Sequence, residues 1–290
     1  MTRILVTGAS GLVGGVLVPM LHCRGHLVLS QSRDGGAEVV VDLTDSLATA
    51  RALDAARPDV IVNLAAMTNV DQCEREPQRA FAANATVVRN LARWIANTAG
   101  ACRLVQVSTD QVYDGPGPHG EERVSPANYY AMSKYTGELE AARTLVSVLR
   151  TNLFGRSRTP ARASFSDWVV SALRRRERIT VFDDVWFSPL SLETLSELLA
   201  QVIERPQFGV FNLGARSGMS KAEFAYALAD AVGLSTKSVT RAPSTEAALV
   251  ARRPKDMRLD CSRFESAFGV TLPTLLSEIN MMRVAYAQQA

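Results

Sequence analysis

Tyr130 and Lys134 stand four residues apart in Ser125-Pro126-Ala127-Asn128-Tyr129-Tyr130-Ala131-Met132-Ser133-Lys134. A helix through them turns both side chains the same way. An ammonium beside a phenol favours the phenolate and lowers the tyrosine pKa from its reference of about 10. Tyr130 could then act as general acid towards a carbonyl oxygen, or as base towards an alcohol. Tyr129 has Ser133 at the matching offset and does not compete for the role. With six tyrosines and four lysines in the chain, a chance pairing at this spacing is expected at roughly 8%. A hydroxyl is offered by Val107-Ser108-Thr109-Asp110, which reads as the carboxyl end of a strand. Thr109 could hold a substrate carbonyl beside Tyr130, or it could cap its own loop.

A second signal opens the chain. Its first strand runs into Thr7-Gly8-Ala9-Ser10-Gly11-Leu12-Val13-Gly14, a G-x-x-G-x-x-G turn between strand and helix. Such a turn lets backbone N–H groups approach a pyrophosphate at a helix N-terminus. Gly8 allows the sharp turn, Gly11 the close approach, and Gly14 the packing of helix on strand. Where the second strand ends, an NAD enzyme offers an acid to the ribose hydroxyls. Here the chain reads Ser30-Gln31-Ser32-Arg33, with Asp34 one step on. Ser32 and Arg33 could hold a 2′-phosphate, whereas Asp34 keeps NAD open; NADP is favoured over NAD.

The elements that must position these residues are legible as a rhythm. Short β-branched runs recur at Arg3–Thr7, Leu27–Ser30, Val39–Asp42, Val60–Leu64, Leu104–Ser108 and Val146–Thr151. Between them lie stretches of helical periodicity such as Ser46–Ala56 and Gln78–Ala99, and a helix beginning near Asn128. Alternation of this kind predicts βαβ units, and near-continuous apolar strands predict a parallel sheet covered on both faces. After Asn152 the rhythm breaks. Residues 155–166 read as loop, followed by a helix, the strand Ile179–Phe182, a helix at Leu192–Glu204 and a strand at Gly209–Leu213. Helices at Lys221–Val232 and Leu275–Ala287 follow. The expected organisation is α/β: a Rossmann-type, doubly wound nucleotide-binding domain over 1–154, with a returning strand near 208–214. A smaller lobe built from 155–185 and 215–290 completes it.

Composition narrows the function further. The chain has 290 residues, 47% hydrophobic content and a net charge of +3. Its longest basic cluster, Arg174, Arg175, Arg176 and Arg178, reads as a solvated helix end rather than a nucleic-acid surface. Four cysteines without C-x-x-C spacing argue against zinc and disulfides and fit a reducing compartment. His22 and His26 lack a third ligand, so no metal is expected. The opening MTRILVTG carries no secretory pattern and no apolar run is long enough to span a bilayer. A cytoplasmic protein without membrane or nucleic-acid partners is expected.

Together these residues resemble the extended short-chain dehydrogenase/reductase family, and within it the dTDP-4-dehydrorhamnose reductases. Gly8 to Gly14 resembles the family's cofactor turn. Asp42-Leu43 resembles its adenine-contacting pair, Asn63-Leu64-Ala65-Ala66 its nicotinamide side, and Thr109, Tyr130 and Lys134 its catalytic set. Further similar stretches are Ala65–Asp71, Ser108–Gly115, Leu149–Asn152 and Arg252–Asp260. The resemblance implies hydride transfer from NADPH to the C4 carbonyl of a nucleoside-diphospho-4-keto-6-deoxyhexose. Tyr130 would give the proton, Lys134 would hold the nicotinamide ribose and lower the tyrosine pKa, and Thr109 would orient the carbonyl. It also places Thr68, Asn69, Asn152, Trp186 and Arg253 at the substrate, and suggests a homodimer.

Dehydratases of the family carry Thr-Asp-Glu where this chain has Thr109-Asp110-Gln111. A glutamine cannot exchange a proton as a carboxylate does, so reduction is favoured over dehydration. Two positions depart from the reductases. Asn152, Leu153 and Phe154 stand where a tryptophan packs on the sugar, and Asp184–Leu190 replaces an Asp-Gln-x-Gly-Ser-Pro-Thr segment. Trp186 could supply the missing stacking surface or serve in the core. Two other functions stay open. One is an NADP-binding regulatory subunit, like the β-subunit of methionine adenosyltransferase; the other is a sugar-nucleotide epimerase.

Overall fold

The computed structural model describes residues 1–98, 101–159 and 162–287. Ala99 of the expected helix, Pro160 and Ala161 of the expected loop, and 288–290 at the end of the C-terminal lobe lie outside the described residues. The β-branched runs form β1 (Arg3–Thr7), β2 (Leu27–Ser32), β3 (Val39–Val40), β4 (Val60–Asn63), β5 (Arg103–Thr109) and β6 (Val146–Thr151). They alternate with α1 (Gly14–Cys23), α2 (Ser46–Ala56), α3 (Val70–Arg75), α4 (Pro77–Phe81), α5 (Val87–Ala96) and α6 (Tyr129–Ala141). The next elements are β7 (Leu153–Phe154), α7 (Phe165–Arg174), β8 (Ile179–Phe182), β9 (Trp186–Phe187) and β10 (Leu190–Ser191). Then come α8 (Leu192–Glu204), β11 (Gly209–Leu213), β12 (Met219–Ser220), α9 (Lys221–Ala231) and β13 (Val239–Ala242). The described chain closes with α10 (Ser262–Phe268) and α11 (Leu275–Ala287).

Seven strands form one sheet in the order β11-β6-β5-β4-β1-β2-β3, and every neighbouring pair in it is parallel. The order reverses between β1 and β4, which opens a crevice at their carboxyl ends. Alternation along β1 loads both faces. Ile4 and Val6 join a core cluster with Leu17 of α1 and Leu199 of α8, while Leu5 joins Leu53 of α2 and Leu91 of α5 on the other side. Each fully buried aliphatic side chain of this kind contributes roughly 1.5–3 kcal/mol. Among the described residues, no helix is long and apolar enough to cross a membrane.

β2 runs two residues past its expected end, to Ser32, and α7 starts at Phe165, inside the stretch read as loop; two further elements depart more from their sequence signals. The strand expected over Val39–Asp42 stops at Val40, because the Asp42 carboxylate accepts hydrogen bonds from the Thr44 N–H (2.9 Å) and hydroxyl (2.8 Å) and turns the chain. The helix expected from Gln78 is interrupted by a π-helical turn at Ala82–Thr86. That turn presents Asn84, whose side chain donates to the Ser133 hydroxyl on α6 (2.9 Å) and to the Met67 carbonyl (3.0 Å).

Helix α6 is held to the sheet by a buried ion pair. Glu138 accepts from Arg150 of β6, with Nη2 at 2.7 Å and Nε at 3.0 Å; the two side chains are only 3% and 4% exposed. The Ser108 hydroxyl donates to the same carboxylate. Arg150 Nη1 donates to the Tyr113 hydroxyl and the Glu121 carbonyl, both at 2.7 Å. Removing one member of a buried pair strands the other charge and costs about 3–5 kcal/mol. Arg150→Leu is therefore expected to lose about that much stability in urea unfolding, and Arg150→Leu with Glu138→Leu less than the single change. A single variant within 1 kcal/mol of wild type, about the uncertainty of such measurements, would remove the pair from this role.

Candidate active site

The catalytic candidates come from two elements packed face to face. Asn128 caps α6 through its side chain, which accepts from the Ala131 N–H at 2.9 Å. The helix so started buries Tyr130, Lys134 and Glu138, each four residues after the last and so on one face. Thr109 ends β5, against which α6 lies. All three catalytic candidates are buried: Thr109 is 4%, Tyr130 7% and Lys134 5% exposed.

Lys134 Nζ donates to the Val107 carbonyl at 2.7 Å. Burial lowers this ammonium to about 8, with Glu138 opposing the shift. The phenol of Tyr130 departs from expectation. Its pKa is raised, not lowered: burial dominates, the Asp110 charge adds to it, and the Thr109 hydroxyl only partly offsets it. The ammonium that was to lower it is engaged with Val107. Thr109 Oγ1 accepts from the Gln111 N–H at 3.2 Å and donates weakly to Asp110 at 3.3 Å. It caps its own turn while standing beside Tyr130. Burial pushes the Asp110 carboxyl up to about 6.

A cavity of about 510 Å³ follows the carboxyl ends of β1, β2 and β4. Of the residues read as cofactor-binding, Gly8, Ser10, Ser32, Arg33, Asp42, Leu43, Ala65 and Ala66 line it. Gly11, Leu12, Val13, Gly14 and Leu64 are not in its wall, nor are Tyr130 and Lys134. The turn has the shape a pyrophosphate needs. Gly8 has φ +61°, and a Cβ there would stand 2.8 Å from the Ala65 nitrogen. At Gly14 a Cβ would meet the Ala9 carbonyl oxygen at 2.2 Å, so this glycine closes the turn itself rather than easing the helix onto the strand. The cradle, the polar rim of Ser32 and Arg33, and Arg79 and Arg162 on the wall fit a dinucleotide.

The residues read as substrate-binding are dispersed. Thr68 and Asn69 are exposed, and the Asn69 side chain caps α3 by accepting from the Gln72 N–H at 2.9 Å. Asn152 donates to Asp110, the residue after Thr109, at 2.7 Å. Trp186, partly buried, lines a separate cavity of about 400 Å³ with Tyr226 and Arg241, and the Arg258 guanidinium lies 5.1 Å above its ring. Arg253 pairs with Asp71 at 3.0 Å. Its neighbour Arg252 offers its carbonyl to Asn128 at 2.9 Å, so the segment around Arg252–Asp260 braces the start of α6.

Glu138 and Asn84 were not singled out from sequence. Glu138 carried a signal, the repeat of the four-residue spacing after Lys134. Asn84 carried none, since its role depends on a π turn. Gly14→Ala is expected to weaken NADPH binding at least tenfold in a fluorescence titration, because the turn must open to admit the methyl. Gly120→Ala, with nothing within 4 Å of the added atom, is the control and should bind as wild type does.

The RmlD substrate-binding domain model matches residues 1–287. The dTDP-4-dehydrorhamnose reductase of Escherichia coli is 28% identical over 93% of each chain. That of Streptomyces griseus is 31% identical over 91% of this chain and 88% of its own. Among solved structures, dTDP-4-dehydrorhamnose reductase from Bacillus anthracis in complex with NADP superimposes with a TM-score of 0.89 at 24% identity, covering 98% of this chain and 99% of that one. With catalytic candidates, cofactor cradle and sheet order all of one pattern, the chain belongs to the RmlD family of extended short-chain dehydrogenase/reductases.

Proposed function

We propose that this protein reduces the C4 carbonyl of a nucleoside-diphospho-4-keto-6-deoxyhexose and takes NADPH in preference to NADH. The observation that carries the reading is the burial of Thr109, Tyr130 and Lys134 together at the carboxyl end of β5. The relatives named for reduction of 4-dehydrorhamnose share its length. In this reading 1–154 with the strand near 208–214 holds the dinucleotide, and 155–185 with 215–290 holds the sugar nucleotide. Free cysteines at Cys23, Cys73, Cys102 and Cys261 suit a reducing compartment, and the reading places the work in the cytoplasm.

The residues around Gly8, Ser32 and Arg33 would hold a reduced nicotinamide cofactor, which would supply the hydride that the protein itself lacks. The protein's part is position and proton. The raised pKa of Tyr130 keeps its phenol protonated at neutral pH, so the acid form is the one present when a carbonyl oxygen arrives. Thr109 and Tyr130 present two hydroxyls to that oxygen, and a proton passes from Tyr130 Oη as negative charge develops there. Lys134, fixed by Val107, holds its ammonium on the same helix face as the phenol. Gln111 does not ionise and cannot give and take a proton as a carboxylate does, which disfavours elimination of a bound hydroxyl.

Cofactor choice rests on the rim. Ser32, not an acid, ends β2, and Asp34 is already held by Arg33, with Nε–Oδ1 at 3.0 Å and Nη2–Oδ2 at 3.2 Å. Both side chains are exposed, at 65% and 80%, so the pair is weak and the Arg33 guanidinium can turn to a 2′-phosphate, which it matches with two donors.

Two experiments test the reading. With a panel of nucleoside-diphospho-4-keto-6-deoxyhexoses, Tyr130→Phe should lose about 10²–10⁴-fold in turnover and keep NADPH affinity within about twofold; turnover near wild type removes Tyr130 from the acid role. Arg33→Ala should lower kcat/KM for NADPH roughly tenfold or more and leave that for NADH unchanged. Equal losses with both cofactors would overturn the 2′-phosphate assignment.

A further inference from the structure

The loop between β7 and α7 belongs to the part of the chain read as the sugar-nucleotide lobe, yet it reaches the cofactor turn. Its two ends are tied to the first turn of α7. Ser157 and Ser164 donate their N–H groups to Asp167 Oδ2 at 3.1 and 2.9 Å, and the Ser164 hydroxyl donates to the Gly155 carbonyl at 2.6 Å. The Arg156 guanidinium donates to the Ala285 carbonyl of α11 at 3.1 Å. Within the loop the Ser157 hydroxyl accepts from the Thr159 N–H at 3.0 Å, and the Arg162 N–H donates to the Thr159 carbonyl at 3.1 Å. A loop so bonded presents a fixed backbone.

That backbone lies on the start of α1. A Cβ added at Gly15 would stand 3.2 Å from Thr159 Oγ1 and 3.8 Å from the Arg158 Cβ, so the loop packs against the residue that follows the glycine turn. A few residues on from Thr159, Arg162 lines the same cavity of about 510 Å³ as Gly8 and Ser10. The other two guanidiniums on that wall are paired, Arg33 with Asp34 and Arg79 with Glu76. Arg162 is exposed, and among the described residues its guanidinium has no ion pair and no hydrogen bond. Helix α1 itself opens without a side-chain cap and without an acid in its first turn. Its positive end, worth roughly half an elementary charge, is left to an anion.

We propose that Arg162 donates to the cofactor's pyrophosphate together with the backbone N–H groups of the glycine turn, so that the loop between β7 and α7 is part of the cofactor site. The assignment rests on the nicotinamide-cofactor reading above and extends it, because residues beyond 154 then serve the dinucleotide as well as the sugar. The turn offers partial charges only. A guanidinium adds a full one, with two parallel donors that match phosphate oxygens. A 2′-phosphate belongs to Ser32 and Arg33, at and just past the end of β2, whereas the loop's contact is with the start of α1.

The test titrates NADPH and NADH, each to saturation of the wild type, into the full-length protein and follows fluorescence. Arg162→Gln removes the charge. Arg158→Gln is the control: it removes a like charge from the same loop, from a side chain that pairs with Glu193 of α8 at 3.6 Å. The expected result for Arg162→Gln is a Kd about tenfold higher for both cofactors, as for a lost hydrogen bond to a charged group. Added salt should weaken wild-type binding more steeply than that of the variant, and Arg158→Gln should bind both cofactors within twofold of wild type. Binding by Arg162→Gln within twofold of wild type overturns the proposal. A loss confined to NADPH moves Arg162 to the 2′-phosphate and overturns it too. So does an equal loss in Arg158→Gln, or a salt dependence that Arg162→Gln leaves unchanged, since either makes the effect one of loop structure. A wild type that binds neither cofactor shows failure of the cofactor reading before any variant is compared, and this assignment falls with it.

Discussion

The buried contact between Glu138 and Arg150 fixes where the candidate catalytic residues stand. A carboxylate and a guanidinium taken out of water are stable only when every remaining donor and acceptor is satisfied. Here Ser108, Tyr113 and the Glu121 carbonyl do that. Each partner sits on a different element: Ser108 on β5, Arg150 on β6, Glu138 on α6, and Tyr113 just beyond β5. The helix has one rotation that brings Glu138 to Arg150, and at that rotation Lys134 and Tyr130, one and two turns earlier, face the end of β5. Lys134 then reaches Val107, the residue before Ser108. The candidate catalytic group is in this sense an extension of the ion pair.

The same economy of position explains why the late segment matters. Asn128 begins α6 and donates to Arg252, Arg253 reaches Asp71 on α3, and the Lys255 N–H donates to Asp114 at 3.1 Å. Residues far apart in sequence thereby clamp the helix start and the loop after β5. The likeness of this segment to reductases was visible in the chain, but it led to a substrate role for Arg253. In the structure Arg253 pairs with Asp71 at 3.0 Å and donates to the Ala251 carbonyl at 2.9 Å, which ties the segment to α3.

The elements whose periodicity is set by their own residues were legible. β1, β6, α2, α8 and β11 begin and end where the β-branched runs, apolar stripes and caps put them. So was the pairing of Tyr130 with Lys134, since four residues on a helix is a local distance. What escaped the sequence depends on distant contacts or competing side chains. Asp42 ends β3 early through Thr44, and Asn84 gains its role from a π turn. The direction of the Tyr130 shift depends on the depth of burial, which no spacing reports. The candidate substrate residues were the least legible, because the strands and helix that carry them meet only after the C-terminal part has folded against the sheet.

Lys221 shows the limit most clearly. Its local context, Ser220-Lys221-Ala222-Glu223, reads only as the start of a capped helix, where a cation has no favourable dipole to meet. Desolvation adds to that cost. A lysine at such a position survives only where something offsets it, and two aromatic faces supply the offset, with Nζ 3.4 Å from the Phe187 ring centroid and 4.5 Å from that of Phe165.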